Sequence, residues 1–265
     1  MNKIEMIQER IVPFRDNVGR AQVVADEQEW ELRRNLAALY RLAAYFGWSD
    51  LIFTHFSARV PGPELHFLIN PFGWLFEEVT ASNLVKVDAN GVKVGDSPFP
   101  VNPAGFAIHS AIHLARKDAH CVMHLHTNDG SGVSAQECGL LPITQQSMLI
   151  SHDLAYHEYG GPGQHPDEGR QIAAAMGDKH FVILRNHGTL TVGRTCADVF
   201  MRMYFLERAC SAQIRAQAGG LAHKPPREAV ELMVNQLAFV DGPSGELAWP
   251  ALLRKLDRID PSFKD

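Results

Sequence analysis

Apolar residues along the chain change their spacing several times, and each change predicts a new element. Between Asp26 and Gly47 they recur every three or four positions, which is typical of a helix with one buried face. Asp26 is a suitable N-cap and Gly47 a suitable stop for that helix. Further on, short apolar runs lie between Pro and Gly residues, which is typical of strands. The predicted strands cover residues 57–60, 66–69, 84–88, 121–126, 154–159, 181–184 and 189–192.

Predicted helices alternate with these strands, and Asn102-Pro103 marks the start of one of them. Asn90-Gly91 predicts a hairpin turn that leads into a further strand at residues 92–94. Strands interleaved with helices predict an α/β fold whose sheet is covered by helices on its faces. The predicted helices after the first cover residues 102–116, 127–135, 166 onwards, 196–217 and 227–237.

We expect a single folded domain over residues 26–218. Residues 1–25 show no clear period and are predicted to form an N-terminal arm. Paired glycines and paired prolines between positions 219 and 226 mark a linker. Residues 219–265 are therefore predicted to contain a linker, a helix and a tail that pack on the same domain.

Charge and composition exclude several classes of partner. The formal net charge is −5, and the Lys and Arg residues are scattered rather than gathered in a basic stripe, so we expect no nucleic-acid or membrane partner. No apolar run approaches the ~18 residues of a membrane helix, and the N-terminus has no signal-peptide core. The four cysteines form no C-x-x-C pair and are expected to be free thiols, which predicts a cytoplasmic protein.

Three histidines carry the main candidate chemistry. His124 and His126 alternate with Leu125 in a predicted strand, so both imidazoles project from one face and can bind one cation. His187 follows an apolar strand, and Gly188 after it is expected to supply the positive φ of a sharp turn. Three neutral imidazoles would leave open positions on a metal for water and substrate.

A second pair of histidines lies four residues apart on one face of a predicted helix. His109 and His113 lack the Glu of the H-E-x-x-H pattern, which excludes a zinc-protease interpretation. One of the two is predicted to line the site and the other to be structural. His152, His157 and His165 lie in a loop-rich stretch and are predicted to be surface residues.

The order of these motifs resembles that of the class II aldolase/adducin family over roughly residues 30–215. The motif sequences are similar to those of the adducin head domain and its bacterial relatives. The resemblance implies a three-layer α/β/α sandwich with a central, mainly antiparallel sheet. The segments that carry it are Phe67-Leu-Ile-Asn-Pro-Phe-Gly73, Thr80-Ala-Ser-Asn-Leu-Val-Lys-Val-Asp88, Gly105-Phe-Ala-Ile-His-Ser-Ala-Ile112, His124-Leu-His126, Ser134-x-x-x-x-Gly139-Leu-Leu-Pro142 and Leu184-Arg-Asn-His-Gly188.

The same resemblance implies a metal site. It brings His124 and His126 together with His187 around one divalent metal, with zinc expected and manganese, iron or cobalt as alternatives. It also implies a homotetramer with active sites near subunit interfaces and a small-molecule substrate.

Two departures from the sugar-phosphate aldolases of this family are visible. Those enzymes carry Ser-Ser-Glu before the helix histidine, and when His109 is placed on that histidine, Gly105 stands where the Glu would be. The phosphate loop of the family, Gly-Asn-x-Ser, is replaced here by Thr54-His55-Phe56-Ser57. Both changes argue against a sugar-phosphate aldolase.

We therefore expect a metal-dependent lyase that cleaves a C–C bond in a small hydroxy- or oxo-carboxylate, by retro-aldol reaction or loss of CO2. The catalytic candidates are His109 and Asp153, the latter because it resembles an aspartate used by ribulose-phosphate epimerases of the family. Arg185 and Asn186 are expected to orient His187 or to meet substrate, with orientation the favoured role. Two alternatives stay open: an Fe(II)-dependent oxygenase on the same three histidines, and a non-catalytic adducin-like binding or scaffold module.

Overall fold

The computed structural model of the chain describes residues 26–161, 167–234 and 243–265, so the predicted N-terminal arm and His165 lie outside the described residues. The described helices are α1 Glu27–Tyr45, α2 Pro103–Ala115, α3 Asn128–Ser134, α4 Gln145–Ile150, α5 Glu168–Met176, α6 Cys196–Ala218, α7 Arg227–Val234 and α8 Pro243–Ile259. The strands are β1 His55–Arg59, β2 His66–Ile69, β3 Val85–Asp88, β4 Cys121–Leu125, β5 Leu154–His157, β6 Phe181–Leu184 and β7 Gly188–Gly193.

The seven strands form one sheet in the order β3-β2-β1-β4-β7-β6-β5. All neighbouring pairs are antiparallel except β5 and β6, which confirms the mainly antiparallel sheet. His124 lies opposite His55, and Leu125 lies opposite Thr189. The start of β1, the ends of β4 and β6 and the start of β7 therefore lie at one end of the sheet, which we call the site end.

Alternating side chains of the strands pack against helices on both faces. In β4, Met123 and Leu125 join a buried cluster with residues of α1 and α6, whereas Val122 joins a cluster with residues of α2 and α5. Each fully buried aliphatic or aromatic side chain contributes roughly 1.5–3 kcal/mol of transfer free energy. These two clusters confirm a three-layer α/β/α arrangement, and His124, on the same face as Val122, points toward α2.

Helix starts agree with the local sequence. The Asp26 carboxylate accepts the backbone N–H of Glu29, and the Asn102 side chain accepts that of Gly105. Gly47, after the last turn of α1, has a φ of +73°, which suits glycine. Each cap satisfies a backbone donor that the first helical turn leaves unpaired.

Two local predictions were incomplete. The turn at Asn90-Gly91 forms, but Val87 and Lys93 make only an isolated bridge, so no strand follows it. The Asp88 carboxylate accepts the N–H groups of Asn90 and Val92, which holds a compact loop instead of a ladder. The helix α4 was also missed, because its six residues are too few to show a period.

The predicted C-terminal tail contains the helix α8. Trp249 and Leu256 of this helix are buried, and the Trp249 Nε1–H donates to Asn35 Oδ1 of α1 at 2.6 Å. Phe263 in the short 3-10 helix that follows is also buried. Pro250 inside α8 obscured its helical pattern. Among the described helices, none combines the length and apolar character that crossing a bilayer requires.

Candidate metal centre

Three histidines converge at the site end of the sheet. His124 lies near the end of β4, His126 follows that strand, and His187 lies in the turn between β6 and β7. One ring nitrogen from each lies within 4.8 Å of the other two, and the ring centroids are 4.7–4.8 Å apart. Within the described ranges, no other group of three or more His, Cys, Asp or Glu residues is arranged to hold a metal.

Two of these rings are held in orientation by oxygen atoms that contact Nδ1, the ring nitrogen remote from the other histidines. His124 Nδ1 lies 2.9 Å from the Thr189 carbonyl oxygen, and His126 Nδ1 lies 3.0 Å from Asp50 Oδ2. A neutral imidazole has one N–H, and in both rings an oxygen acceptor assigns it to Nδ1. The two Nε2 atoms then carry lone pairs that face each other at 2.9 Å. Facing lone pairs repel unless a proton or cation lies between them, and outer acceptors on Nδ1 are typical of histidine metal ligands.

Burial keeps two of the three histidines, His124 and His187, in the neutral form that binds metal. Burial places the pKa of His124 well below its ordinary value, with the neighbouring His126 and His187 as smaller causes. The pKa of His187 is lowered to about 4, chiefly by burial and then by His126 and His157. Metal ligation requires the neutral imidazole, so these rings need lose no proton at neutral pH. The donor set therefore fits a divalent metal.

Gly188 allows the His187 turn to approach β4. A Cβ atom at this position would lie 2.2 Å from the Leu125 carbonyl oxygen and 3.2 Å from His126 Cδ2. The expected positive φ at Gly188 was wrong, because the left-handed residue of this turn is Asn186, with a φ of +54°. Gly188 is needed for close backbone approach rather than for turn geometry.

Glu207 of α6 connects the segment that follows His126 with the start of β7. It accepts hydrogen bonds from Thr127 Oγ1, just after His126, and from Thr189 Oγ1, at 2.7 Å. Burial raises the pKa of this carboxyl group. The sequence reasoning missed Glu207, and its only signal was an acidic residue beside the apolar position Leu206 in the long helix.

Asp50, which orients His126, was also missed. It lies in a loop in which Leu51 and Thr54 have φ values of +50° and +63°. Left-handed backbone at residues other than glycine costs on the order of 1 kcal/mol each, so packing must hold this loop in place. Leu51 and Phe53 project from it with exposed fractions of 69% and 51%.

His109 and His113 share one hydroxyl group. Ser57 Oγ lies 2.7 Å from His109 Nδ1 and 2.7 Å from His113 Nε2. His113 Nδ1 donates to the Ala119 carbonyl oxygen at 2.6 Å, so its Nε2 accepts from Ser57, and Ser57 in turn accepts from His109. His109 Nε2 is then a buried acceptor without a hydrogen-bond partner. His109 is the member nearer the site, and its catalytic role stays a prediction.

The structure does not bring Asp153 to the three histidines of the same chain. Asp153 precedes β5 and accepts the backbone N–H and Nδ1–H of His180, at 3.0 and 2.9 Å. Because β5 and β6 are parallel, the residues before them lie at the end of the sheet opposite His187. Its predicted catalytic role has no support from the geometry of one subunit.

The remaining predicted residues take supporting positions. Arg185 stacks over the Tyr156 ring, 4.5 Å from its centroid, and donates to the Gln136 carbonyl oxygen rather than contacting His187. His152 is exposed, whereas His157 is partly buried at the end of β5. Asn186 shapes the turn that presents His187 through its left-handed backbone.

The protein is therefore a three-layer α/β protein. The three imidazoles that converge at one end of its sheet form a candidate catalytic metal centre. The chain belongs to the class II aldolase and adducin family, because the model of the class II aldolase and adducin N-terminal domain matches residues 34–214.

Relatives and solved structures agree with this assignment. The chain is 52% identical over 241 residues to a protein of Caulobacter vibrioides named as an aldolase class 2 protein, covering 90% of this chain and 94% of that protein. It is 46% identical over 215 residues to alpha-adducin of Mus musculus, covering 79% of this chain but 29% of the adducin.

Two solved structures show the same fold. An aldolase II superfamily protein from Pseudomonas syringae superposes with a TM-score of 0.87 at 46% identity, covering 98% of this chain and 100% of that one. L-fuculose 1-phosphate aldolase from Glaciozyma antarctica PI12 superposes with a TM-score of 0.75 at 29% identity, covering 91% and 96%.

Proposed function

We propose that the protein is a metal-dependent lyase that breaks a C–C bond in a small hydroxy- or oxo-carboxylate. The observation that carries the proposal is the pair of Nε2 atoms 2.9 Å apart, each fixed by an acceptor behind its ring, with a third histidine beside them. A proton-sharing structural pair would not need a third imidazole within 4.8 Å. Membership of the class II aldolase family supports the lyase class.

His124, His126 and His187 would hold the metal. Three nitrogen ligands suit zinc and leave a fourth position for substrate, and manganese, iron or cobalt could use the same set. When bound, the metal would supply a Lewis acid for the oxygen next to the breaking bond. Asp50 and the Thr189 carbonyl group hold two ligand rings in place, and burial of His124 and His187 limits their protonation.

The substrate is proposed to be a carboxylate with an adjacent hydroxyl or carbonyl oxygen, because two oxygens of such an acid can fill the open side of a three-ligand site. Sugar phosphates are disfavoured because the Gly-Asn-x-Ser loop is replaced by Thr54-His55-Phe56-Ser57. The similarity to an L-fuculose 1-phosphate aldolase makes that class of substrate the necessary comparison in any assay.

We also propose a homotetramer with the site near a subunit interface. The exposed Leu51 and Phe53 lie in the loop that carries Asp50, so an apolar surface borders the site. All four cysteines are free thiols, which agrees with a cytoplasmic location.

The decisive experiment is metal analysis of the purified protein followed by a screen of hydroxy-acids, oxo-acids and sugar phosphates for release of an aldehyde or CO2. The variant His124→Ala/His126→Ala should lose stoichiometric metal and turnover, whereas the control His152→Ala, at an exposed histidine, should keep both. Metal retained at full stoichiometry by the double variant would show that the site assignment is wrong.

A second candidate is a non-catalytic binding module, favoured by the 46% identity to alpha-adducin. It predicts a folded protein with no bound metal and no turnover of any acid in the screen. Oxygen uptake after loading with Fe(II) would instead favour the oxygenase alternative.

A further inference from the structure

His55 and Gly105 share one volume beside the three-histidine group. A Cβ atom at Gly105 would lie 1.7 Å from His55 Nε2 and 2.1 Å from its Cδ2. The imidazole of His55 thus occupies the space that any side chain at position 105 would enter. His55 lies in β1 directly opposite His124, and the two ring centroids are 6.0 Å apart.

The His55 ring has an unusual polar environment. It is buried, and its Nδ1 has no hydrogen-bond partner. The His109 ring meets it at an edge, with centroids 4.3 Å apart, and His109 Nε2 is also without a partner. Buried polar atoms without partners are uncommon in folded proteins, and two on adjacent rings beside a candidate metal centre indicate a functional group.

A hydrogen-bonded chain fixes the orientation of His109 behind His55. The Ala119 carbonyl oxygen accepts from His113, His113 accepts from Ser57, and Ser57 accepts from His109. Every donor in this chain is used, so the remaining lone pair of His109 lies on Nε2. His109, held by Ser57, therefore acts as a positioning residue that packs against the His55 ring.

We propose that His55 is the proton-transfer residue of this centre, in the volume that a side chain at position 105 would otherwise fill. This inference rests on the proposed lyase function. In a retro-aldol cleavage, the imidazole takes the substrate hydroxyl proton, and the O–H electron pair becomes the second bond of the new carbonyl group as the C–C bond breaks. The C–C electron pair remains on the carbon next to the substrate carbonyl, and the proton on His55 then forms the new C–H bond there. In a loss of CO2, the C–C electron pair would remain on the same carbon, and His55 would deliver to it a proton taken beforehand from water.

The shared volume is tested by thermal unfolding of four proteins: wild type, His55→Ala, Gly105→Ala and the double variant. Gly105→Ala should lower Tm by about 5 °C or more, because overpacking forces the ring to move. In the His55→Ala background the ring is absent, so adding Gly105→Ala should lower Tm much less than it does in the wild-type protein. A Gly105→Ala protein as stable as wild type would overturn the placement of His55.

Proton transfer is tested with zinc-loaded protein and pyruvate in D2O, by following exchange of the methyl protons in NMR spectra. His55→Ala should keep stoichiometric zinc but slow exchange by about 100-fold or more, the range expected for a lost general base. His55→Ala/Gly105→Glu, with a carboxylate in the same volume, should regain part of the rate. The control His152→Ala should exchange as wild type does.

Three contrary results would overturn the proton-transfer role of His55, and one further result would also overturn the lyase function. Unchanged exchange in His55→Ala would overturn the proton-transfer role, and so would loss of zinc, because His55 would then act as a ligand. Absence of exchange in the wild-type protein would also overturn the role. If the acid screen showed no cleavage either, the proposed lyase function would fail with it.

Discussion

Each end of the central sheet carries a polar cluster that contains histidine, but the charges of the two clusters are balanced differently. At the end opposite the site, His180 lies between two carboxylates, with Nδ1 2.9 Å from Asp153 and Nε2 3.4 Å from Asp118. Arg116 pairs with Asp118 at 2.7 Å and lowers the pKa of that carboxyl group. His180 Nδ1–H donates to Asp153, and the Arg116 guanidinium donates to Asp118, so these donors have carboxylate acceptors within the chain.

The site end has the opposite composition. Three imidazoles face one another, and Asp50 is the carboxylate that contacts them. The two nearest nitrogens present lone pairs rather than a donor and an acceptor. A cluster rich in acceptors and poor in protons is stabilised by a cation, whereas a cluster with matched charges is not. The contrast explains why histidine count alone does not locate a metal site.

The strongest test of this contrast is the substitution Gly188→Ala. The added Cβ would overlap the Leu125 carbonyl oxygen, a backbone atom that cannot rotate away, so we expect a loss of about 3 kcal/mol or more in unfolding free energy. His187 would move away from β4, and zinc affinity should fall as well. Urea denaturation and zinc titration measure the two effects. Gly219→Ala, whose nearest Cβ contact would be an ordinary 3.5 Å, is the matched control and should change neither.

Much of the fold could be predicted because its signals are local. Strand alternation placed His124 and His126 on one side, and Asn102 with Pro103 marked the start of α2 at the observed residue. Sequence spacing could not bring His187 to β4, because that contact depends on β7 pairing with β4 across the sheet. Only the family resemblance supplied this long-range step.

The supporting residues of the site were not predictable for the same reason. Asp50 lies 76 positions from His126 in the chain, and Glu207 lies 80 positions from Thr127. The proposed role of His55 depends on the absence of a side chain at Gly105, a relation that no single-position pattern reveals. Asp153 lies before β5, at the end of the sheet opposite His187, and its catalytic role stays a prediction.

The buried histidine pair of α2 and the charged cluster around Asp118 should also lose stability in different pH ranges. Burial lowers the pKa of His113 to about 4, so between its unfolded value near 6.5 and pH 4 the unfolded chain binds more protons than the folded chain. Stability therefore falls as pH drops through this window, by about 2 kcal/mol for this one group between pH 7 and pH 5. Asp118 has a lowered pKa, so its contribution is present at both pH values and is lost only in stronger acid.

Urea denaturation of the metal-free protein at pH 7 and pH 5 measures this difference. His113→Gln should reduce the loss of stability between the two pH values, whereas Asp118→Asn should leave that loss unchanged. An equal reduction in both variants would contradict the assignment of the pH dependence to the buried His113.

The smallest expected effect is the difference between two carboxylates that each accept from a histidine Nδ1, Asp50 at the site end and Asp153 at the opposite end. Asp50→Asn would leave His126 Nδ1–H with an uncharged acceptor 3.0 Å away, so the ring would be less basic and less firmly held. We expect zinc affinity to fall about tenfold, the lower part of the range for a residue that orients a metal ligand. Asp153→Asn alters a histidine contact of similar length, 2.9 Å, at the opposite end of the sheet, and should leave zinc affinity unchanged while lowering stability. Competition against a chromophoric zinc chelator measures both variants. Equal losses of zinc affinity would mean that the two ends are coupled through the sheet, and that a matched cluster and a metal-binding cluster cannot be told apart by their charges alone.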